Sequence, residues 1–489
     1  MDPFIFLGAC AIGAVLPFLM RRTRHLIIAF NTWSIAILTS GVLLGTSAFV
    51  PELRHTSDLW HIDAAAGMML MLIAFIQWTA VAVSVRQLTE EMHEGVITHA
   101  RFQQYAALFA LFVFSMSVTA ISNNLGVLWV ALEATTLATT FLVSFYAQQG
   151  SIEAAWKYLI LCSTGITLAL IGLLITFYAV QTAGVEEAGL LWTNLMAQGT
   201  ALSPFLMQLA FIFILIGYGT KAGLVPLHAW LPDAHGTAPA PISALLSSVL
   251  LPVAFLAILR FKSIVDLSLG DPTWTGTLLV VFGLISICIP AFFILVQQDY
   301  KRLLAYSSIE HMGLIALAFG LGGVAAVAGM IHLAGHALVK SALFFGAGAI
   351  LLRFKSTKFA RVHAVGNVLP YTAVFFLIGL LALLAVPPSP LFLSEYLLVA
   401  VGLRSHPVIM ALVLIALTIT AAGFIRLCMP FLFAREGGRA EAVPPKEGEL
   451  IANVAAPLVH YAMIAALGVL LWTSYGFDVA GQIARSIGQ

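Results

Sequence analysis

The stretch Phe211 to Trp230, FIFILIGYGTKAGLVPLHAW, carries a lysine inside an otherwise apolar run. A lysine at mid-bilayer costs about 3 kcal/mol or more, so Lys221 demands a partner, water or a task. Gly217, Gly219, Gly223 and Pro226 weaken the helix around it and free backbone groups. Such a break is tolerated only inside protein or beside a hydrated cavity. Glu133, in VLWVALEATTLATTFLV, is the natural partner. A carboxylate whose distance from a lysine changes would alter the lysine's hold on its proton, which makes a workable switch. The alternative is a static pair tying two helices together. Further on, GMIHLAGHALVKSALFF sets His332, His336 and Lys340 four residues apart. Each step of four rotates a helix by only about 40°, so the three share one face, and histidine titrates near neutrality, which suits a proton relay. A metal site is disfavoured there, because no third ligand type is evident nearby.

Other titratable groups extend the row. Glu310 and His311 follow KRLLAYSSI, roughly two helical turns in from the basic pair Lys301 and Arg302. They either link the two halves of a path or admit protons from the inner side, and a capped surface pair is the open alternative. In PLHAWLPDAHGTAPAP, His228, Asp233 and His235 stand near the inner end of the same span as Lys221. They are candidate feeders of Lys221 or ordinary loop residues. Glu395 lies in LLAVPPSPLFLSEYLL, just beyond Pro387, Pro388 and Pro390, which interrupt a second helix, and Arg426 is its candidate counter-ion. His460 is isolated and reads as structural.

The elements that must position these groups follow from composition. The chain of 489 residues is 61% hydrophobic and 9% charged, whereas soluble domains are about one quarter charged. This is an all-α polytopic membrane protein. About fourteen spans are expected, near 3–20, 26–50, 64–86, 103–121, 124–147, 156–180, 205–229, 240–260, 275–297, 304–323, 324–352, 370–402, 408–433 and 451–475. Only GLGG, residues 320–323, separates the tenth from the eleventh. With the N-terminus outside, fifteen basic residues fall in inner loops, among them Arg21, Lys157, Lys301, Arg361 and Arg435, against five in outer segments (Arg54, Arg260, Lys262, Arg404 and Arg485). That bias places both termini on the outer side. The outer loop 181–204 is the longest, and the polar inner segment 435–450 reads as a flexible connection. Helices seven and twelve, interrupted at positions five spans apart, suggest inverted five-helix repeats. The expected division is a three-helix segment at 1–102, one repeat at 103–262 (spans four to eight), an inverted repeat at 263–434 (spans nine to thirteen), and an inner loop with the final span at 435–489.

Several classes are excluded. The four cysteines are scattered through apolar runs with no cluster, metal-ligand or disulfide spacing, and no Gly-rich phosphate loop or nucleotide fingerprint occurs. A net charge of +1 gives no hint of nucleic acid. No cofactor is expected in this chain.

The motifs ALEATTLATTFLV, GYGTKAGLVPLHAWLPDAH, KRLLAYSSIEHMG and HLAGHALVKSALFF, with the interrupted helix before Glu395, cover roughly residues 65–435. In them the chain resembles the antiporter-like membrane subunits of respiratory complex I, group 4 membrane-bound hydrogenases and Mrp cation/proton antiporters. ALEATTLAT with SSIEHMG is most similar to hydrogenase-4 component F, of the formate hydrogenlyase type. The resemblance implies fourteen helices with inverted repeats, and proton translocation through linked half-channels. Glu133 and Lys221 match the family's fifth-span glutamate and seventh-span lysine, and His332, His336, Lys340 and Glu395 match its eleventh- and twelfth-span groups. It also implies a multi-pass subunit in a bacterial or archaeal inner (cytoplasmic) membrane. Partners would be other membrane subunits and peripheral redox subunits on the inner face, the latter carrying Fe–S clusters and a Ni–Fe centre. The open alternatives are an Mrp-like Na⁺/H⁺ antiporter subunit, a non-pumping structural anchor, and a subunit whose proton flow drives inorganic-carbon capture. One departure stands out. Many relatives carry a lysine in the eighth span, where ALLSSVLLPVAFLAILRF has Pro252, with Ser247 and Ser248 the nearest polar groups.

Overall fold

The computed structural model describes residues 2–433 and 451–488. The expected flexible segment 435–450, with Arg435, lies outside the described residues. In chain order the helices are α1 (Pro3–Leu19), α2 (Thr23–Ser47), α3 (Ala64–His93), α4 (His99–Ile121), α5 (Leu125–Val143), α6 (Gln149–Thr182) and α7 (Trp192–Gln198). Next come α8 (Pro204–Lys221), α9 (Trp230–Thr237), α10 (Ala240–Leu245), a π turn at Leu246–Leu250, α11 (Leu251–Leu269), α12 (Thr273–Leu295) and α13 (Tyr300–Leu321). The rest are α14 (Gly323–Phe354), α15 (Val365–Val368), α16 (Pro370–Leu383), α17 (Pro390–Ser405), α18 (Pro407–Phe433), α19 (Ile451–Leu471) and α20 (Ser474–Ser486). No strand occurs among the described residues, only isolated bridges. Twelve described helical runs are long and apolar enough to cross a membrane; α1 and α16 are apolar but shorter.

Local chemistry explains where the helices begin and break. Asn124 caps α5 by accepting from the Gly126 and Val127 amides, and Asp299 caps α13 through the Lys301 and Arg302 amides. The GLGG join does divide two helices, at Gly322, whose φ of +70° suits a residue without a Cβ. The spanning window of the run Ala240–Leu269 is strongly apolar and wholly buried, as expected of a helix at the centre of the bundle. The π turn within it immediately precedes Pro252, which has no N–H to donate back to Ser248. Close helix approach rests on small residues. A Cβ on Gly217 would lie 2.6 Å from the Gly165 carbonyl oxygen, so α8 presses against α6. Gly283 and Gly313 do the same for α12 and α13.

Three expectations about loops are corrected. Residues 181–204 are not a plain loop: α7 folds back there, and the Trp192 indole donates to the Arg260 carbonyl at 3.0 Å. Arg260 and Lys262 are buried within α11 rather than placed in an outer segment. Arg260 makes a two-pronged ion pair with Asp63 at 2.5 and 2.9 Å, and Lys262 pairs with Asp266 at 2.5 Å. Lys301, counted with the inner loops, is also wholly buried. In each case an ion pair or a carbonyl satisfies the charge that hydropathy alone would send to the surface. The four cysteines are free, and Cys10, Cys162 and Cys428 are buried.

Candidate proton path

α8 ends at Lys221, so the lysine sits at the break rather than mid-helix. The partial negative charge at a helix C-terminus favours an ammonium there. The freed backbone is satisfied by protein: the Thr220 carbonyl accepts from the Trp230 indole at 2.9 Å, and the Val225 amide donates to Ser286 Oγ at 2.9 Å. Gly223, at φ +78°, turns the chain. Lys221 is wholly buried. Its Nζ donates to Thr136 Oγ1 at 2.9 Å and to the Tyr158 hydroxyl at 2.6 Å.

Glu133 does not touch Lys221 directly. Its carboxylate accepts from Ser163 Oγ at 2.9 Å and from Thr136 Oγ1 at 3.1 Å. The expected pair is therefore bridged: Thr136, one turn along α5 from Glu133, accepts from the lysine and donates to the glutamate. The Gly165–Gly217 contact brings Tyr158 and Ser163 of α6 to this point. Thr136 was legible as a neighbour of Glu133 from its i+3 spacing; Tyr158 and Ser163 carry no sequence signal that sets them apart.

A second cluster lies on α13, α14 and α17. His332, His336 and Lys340 are all buried on α14. His311 enters from α13 between the two histidines. Its Nδ1 is 2.8 Å from His332 Nε2, and its ring centroid is 5.1 Å from that of His336. His332 Nδ1 meets Ser394 Oγ at 2.9 Å, beside Glu395 on α17. Lys340 Nζ donates to the Leu304 carbonyl at 2.7 Å and to the Ser307 hydroxyl. Glu310 is buried rather than half of a surface pair: it accepts from Thr420 Oγ1 at 2.7 Å, and its other oxygen has no partner.

Between the clusters stand His235 and Lys301, both wholly buried. His235 stacks on Phe344 at 5.0 Å, and neither ring nitrogen has a protein partner. Lys301 Nζ donates to the Ala238 carbonyl at 2.6 Å, at the junction of α9 and α10. From the π turn, Ser247 Oγ reaches Ser308 Oγ of α13 at 2.7 Å.

None of the remaining expected residues is hydrogen-bonded to the two clusters. His228 meets only the Pro226 carbonyl, at 3.2 Å, because the turn after Gly223 directs it outward. Asp233 pairs with Arg302 at 2.8 Å and Lys157 at 3.3 Å, lining a polar cleft of about 360 Å³ with Asp299 and Lys358. Arg426 is on the exposed face of α18 and makes no ion pair with Glu395. His460 is held by Thr79 and Ser341 at 2.9 Å each, as a satisfied core histidine would be.

The profile described as "NADH:quinone oxidoreductase/Mrp antiporter, TM" matches residues 122–420, which include both clusters. The chain is 37% identical over 413 residues to the hydrogenase-4 component F homolog of Methylacidiphilum infernorum (isolate V4), covering 84% of this chain and 85% of that one. In fold it is similar to a chain of the membrane-bound sulfane sulfur reductase, an archaeal respiratory membrane complex. That likeness has a TM-score of 0.84 at 22% identity, over 99% of this chain and 96% of the other. It is also similar to a chain of the Mrp complex from Dietzia sp. DQ12-45-1b, with a TM-score of 0.81 at 20% identity, over 99% and 95%.

Proposed function

Because the chain belongs to the NADH:quinone oxidoreductase/Mrp antiporter membrane family, we propose that it carries protons across the membrane within a redox complex of the membrane-bound hydrogenase type. It is an integral multi-pass protein whose homologues are subunits of multi-subunit membrane complexes. The observation that carries the reading is the hydrogen-bonded sequence Lys221, Thr136, Glu133, in which the Thr136 hydroxyl accepts from the buried lysine and donates to the carboxylate. As Lys221 releases a proton to the Thr136 hydroxyl oxygen, that hydroxyl passes its own proton to the Glu133 carboxylate. Nothing accumulates on the threonine, so the two titratable groups exchange one proton across one side chain.

His235 and Lys301 join the halves in place of the eighth-span lysine that Pro252 displaces. The ring nitrogens of His235 have no protein partner, which is the condition for bridging by water. From there the path continues to Lys340, His336, His311, His332 and Glu395. Asp233 and Arg302 lie at its polar mouth, on the inner side by the distribution of basic residues. The two interrupted segments, α8–α9 and α16–α17, support a division into inverted repeats at 103–262 and 263–434. Electron transfer, with Fe–S and Ni–Fe centres, belongs to peripheral partner subunits in this reading, whose support is the likeness to the hydrogenase-4 component F homolog.

The test is redox-driven proton uptake in vesicles holding the intact complex, with Lys221→Met and Glu133→Gln beside wild type. Collapse of pumping in assembled complexes supports the reading. Persistence in both variants makes the pair structural. Transport that needs Na⁺ and proceeds without redox turnover favours the Mrp-like alternative.

A further inference from the structure

In sequence, the eleventh-span histidines lack a third ligand type; in space, α17 supplies one. His311, His332 and Glu395 each present a ring nitrogen or carboxylate oxygen, and these three atoms lie within 4.8 Å of one another. The hydrogen bonds around His332 fix which nitrogen is bare. Ser394 Oγ donates to the Leu391 carbonyl at 2.9 Å, so its oxygen accepts from His332 Nδ1–H at 2.9 Å. The neutral ring then points the lone pair of Nε2 at His311, whose Nδ1 is 2.8 Å away. An imidazole with one nitrogen held by an oxygen acceptor and the other bare is the form in which histidine binds metal.

We propose that His311, His332 and Glu395 form a binding site for a divalent cation of the zinc type, and that its occupation blocks the proton path. The donor set is two imidazoles and one carboxylate, which zinc accepts and which magnesium and calcium, preferring oxygen, do not. Zinc–nitrogen bonds of about 2.0–2.1 Å set two tetrahedral ligands roughly 3.3 Å apart, so the histidines need separate by only about half an ångström. A second carboxyl group, Glu310, precedes His311 on α13 and has one unpartnered oxygen. His336, with both ring nitrogens unpartnered, stands next to the site. Glu395 is only half-buried, which leaves one side of the site uncovered within this chain. A cation on the two facing nitrogens removes the hydrogen bond through which a proton would pass from His311 to His332. The blocking effect rests on the proton-path reading; the binding site does not.

Zinc content and zinc K-edge X-ray absorption of the purified full-length chain in detergent, stripped with chelator and dialysed against Zn²⁺, test the site. One zinc per chain with two imidazole ligands and oxygen is expected. His332→Gln and Glu395→Gln should each weaken binding about tenfold or more, while His363→Gln, at an exposed position, keeps it. Gel-filtration profiles establish that each variant is folded, and Ser394→Ala offers a milder change, expected to weaken binding by releasing the His332 ring. Absence of zinc, or zinc retained equally in all variants, overturns the site. In vesicles of the intact complex, Zn²⁺ should inhibit pumping by the wild type; bound zinc without inhibition overturns the blocking role. Zinc content does not depend on pumping, so failure of the proton path in Lys221→Met and Glu133→Gln is read separately.

Discussion

Lys221 donates a 2.9 Å hydrogen bond to the Thr136 hydroxyl, not to the Glu133 carboxylate. The hydroxyl is thus the only covalent group between the two charged side chains along that route, and it can both accept and donate. Thr136→Val keeps the shape and removes this capacity. Leaving a buried ammonium short of an acceptor costs about 1–3 kcal/mol, equivalent to roughly tenfold to a hundredfold in rate. Proton uptake by vesicles of the intact complex should fall by that order in Thr136→Val and be restored in Thr136→Ser.

His235 is stacked on Phe344, and neither ring nitrogen has a protein partner; in the proposed path it serves where relatives carry the eighth-span lysine. His235→Phe fills the same space without a titratable group. Pumping should fall about tenfold or more, by the usual worth of a positioned proton carrier, while redox turnover in the uncoupled complex is kept. Lys301→Met should show the same separation. Unchanged pumping in both variants would place the crossing elsewhere, at the Ser247–Ser308 contact for instance.

The Asp63–Arg260 pair ties the start of α3 to α11 and carries the Trp192 ring 4.2 Å from the guanidinium. Removing one partner strands a buried charge, at about 3–5 kcal/mol, whereas replacing both is far cheaper. Asp63→Asn alone should lower the melting temperature in detergent sharply. The double variant Asp63→Asn with Arg260→Met should recover most of the loss. Additive losses would show that the pair contributes little as a pair.

His61 lies in the connection before α3, close to this pair. Burial pushes its pKa down to about 4, against the raising effect of Asp63 and with the positive charges of Arg260 and Arg54. The fold therefore favours the neutral ring. Stability is fully present above the ordinary pKa near 6.5 and is lost as pH falls from there towards 4. Melting temperatures measured between pH 7 and pH 4 should decline less steeply in His61→Gln than in wild type.

Hydropathy and helical period determined much of this protein by themselves. They located the apolar stretches on which the helices fall, put Lys221 at a Gly- and Pro-weakened segment, and set His332, His336 and Lys340 on one face of α14. These are properties of a single helix in a membrane, where backbone groups must bond internally and every fourth residue returns to the same side. What faces that side depends on which helices pack together and how closely, and only the tertiary structure decided it. Glycines 165 and 217 let α6 and α8 close up, bringing Tyr158 to Lys221, and the approach of α13 inserts His311 between two histidines of α14. Lys301 reads in sequence as an ordinary basic flank, yet a carbonyl at the α9–α10 junction lets it be buried. Arg426 reads as a buried counter-ion, yet the rotation of α18 turns it outward, away from Glu395. Local pattern fixes which residues share a face; the packing of one face on another fixes which of them can exchange a proton.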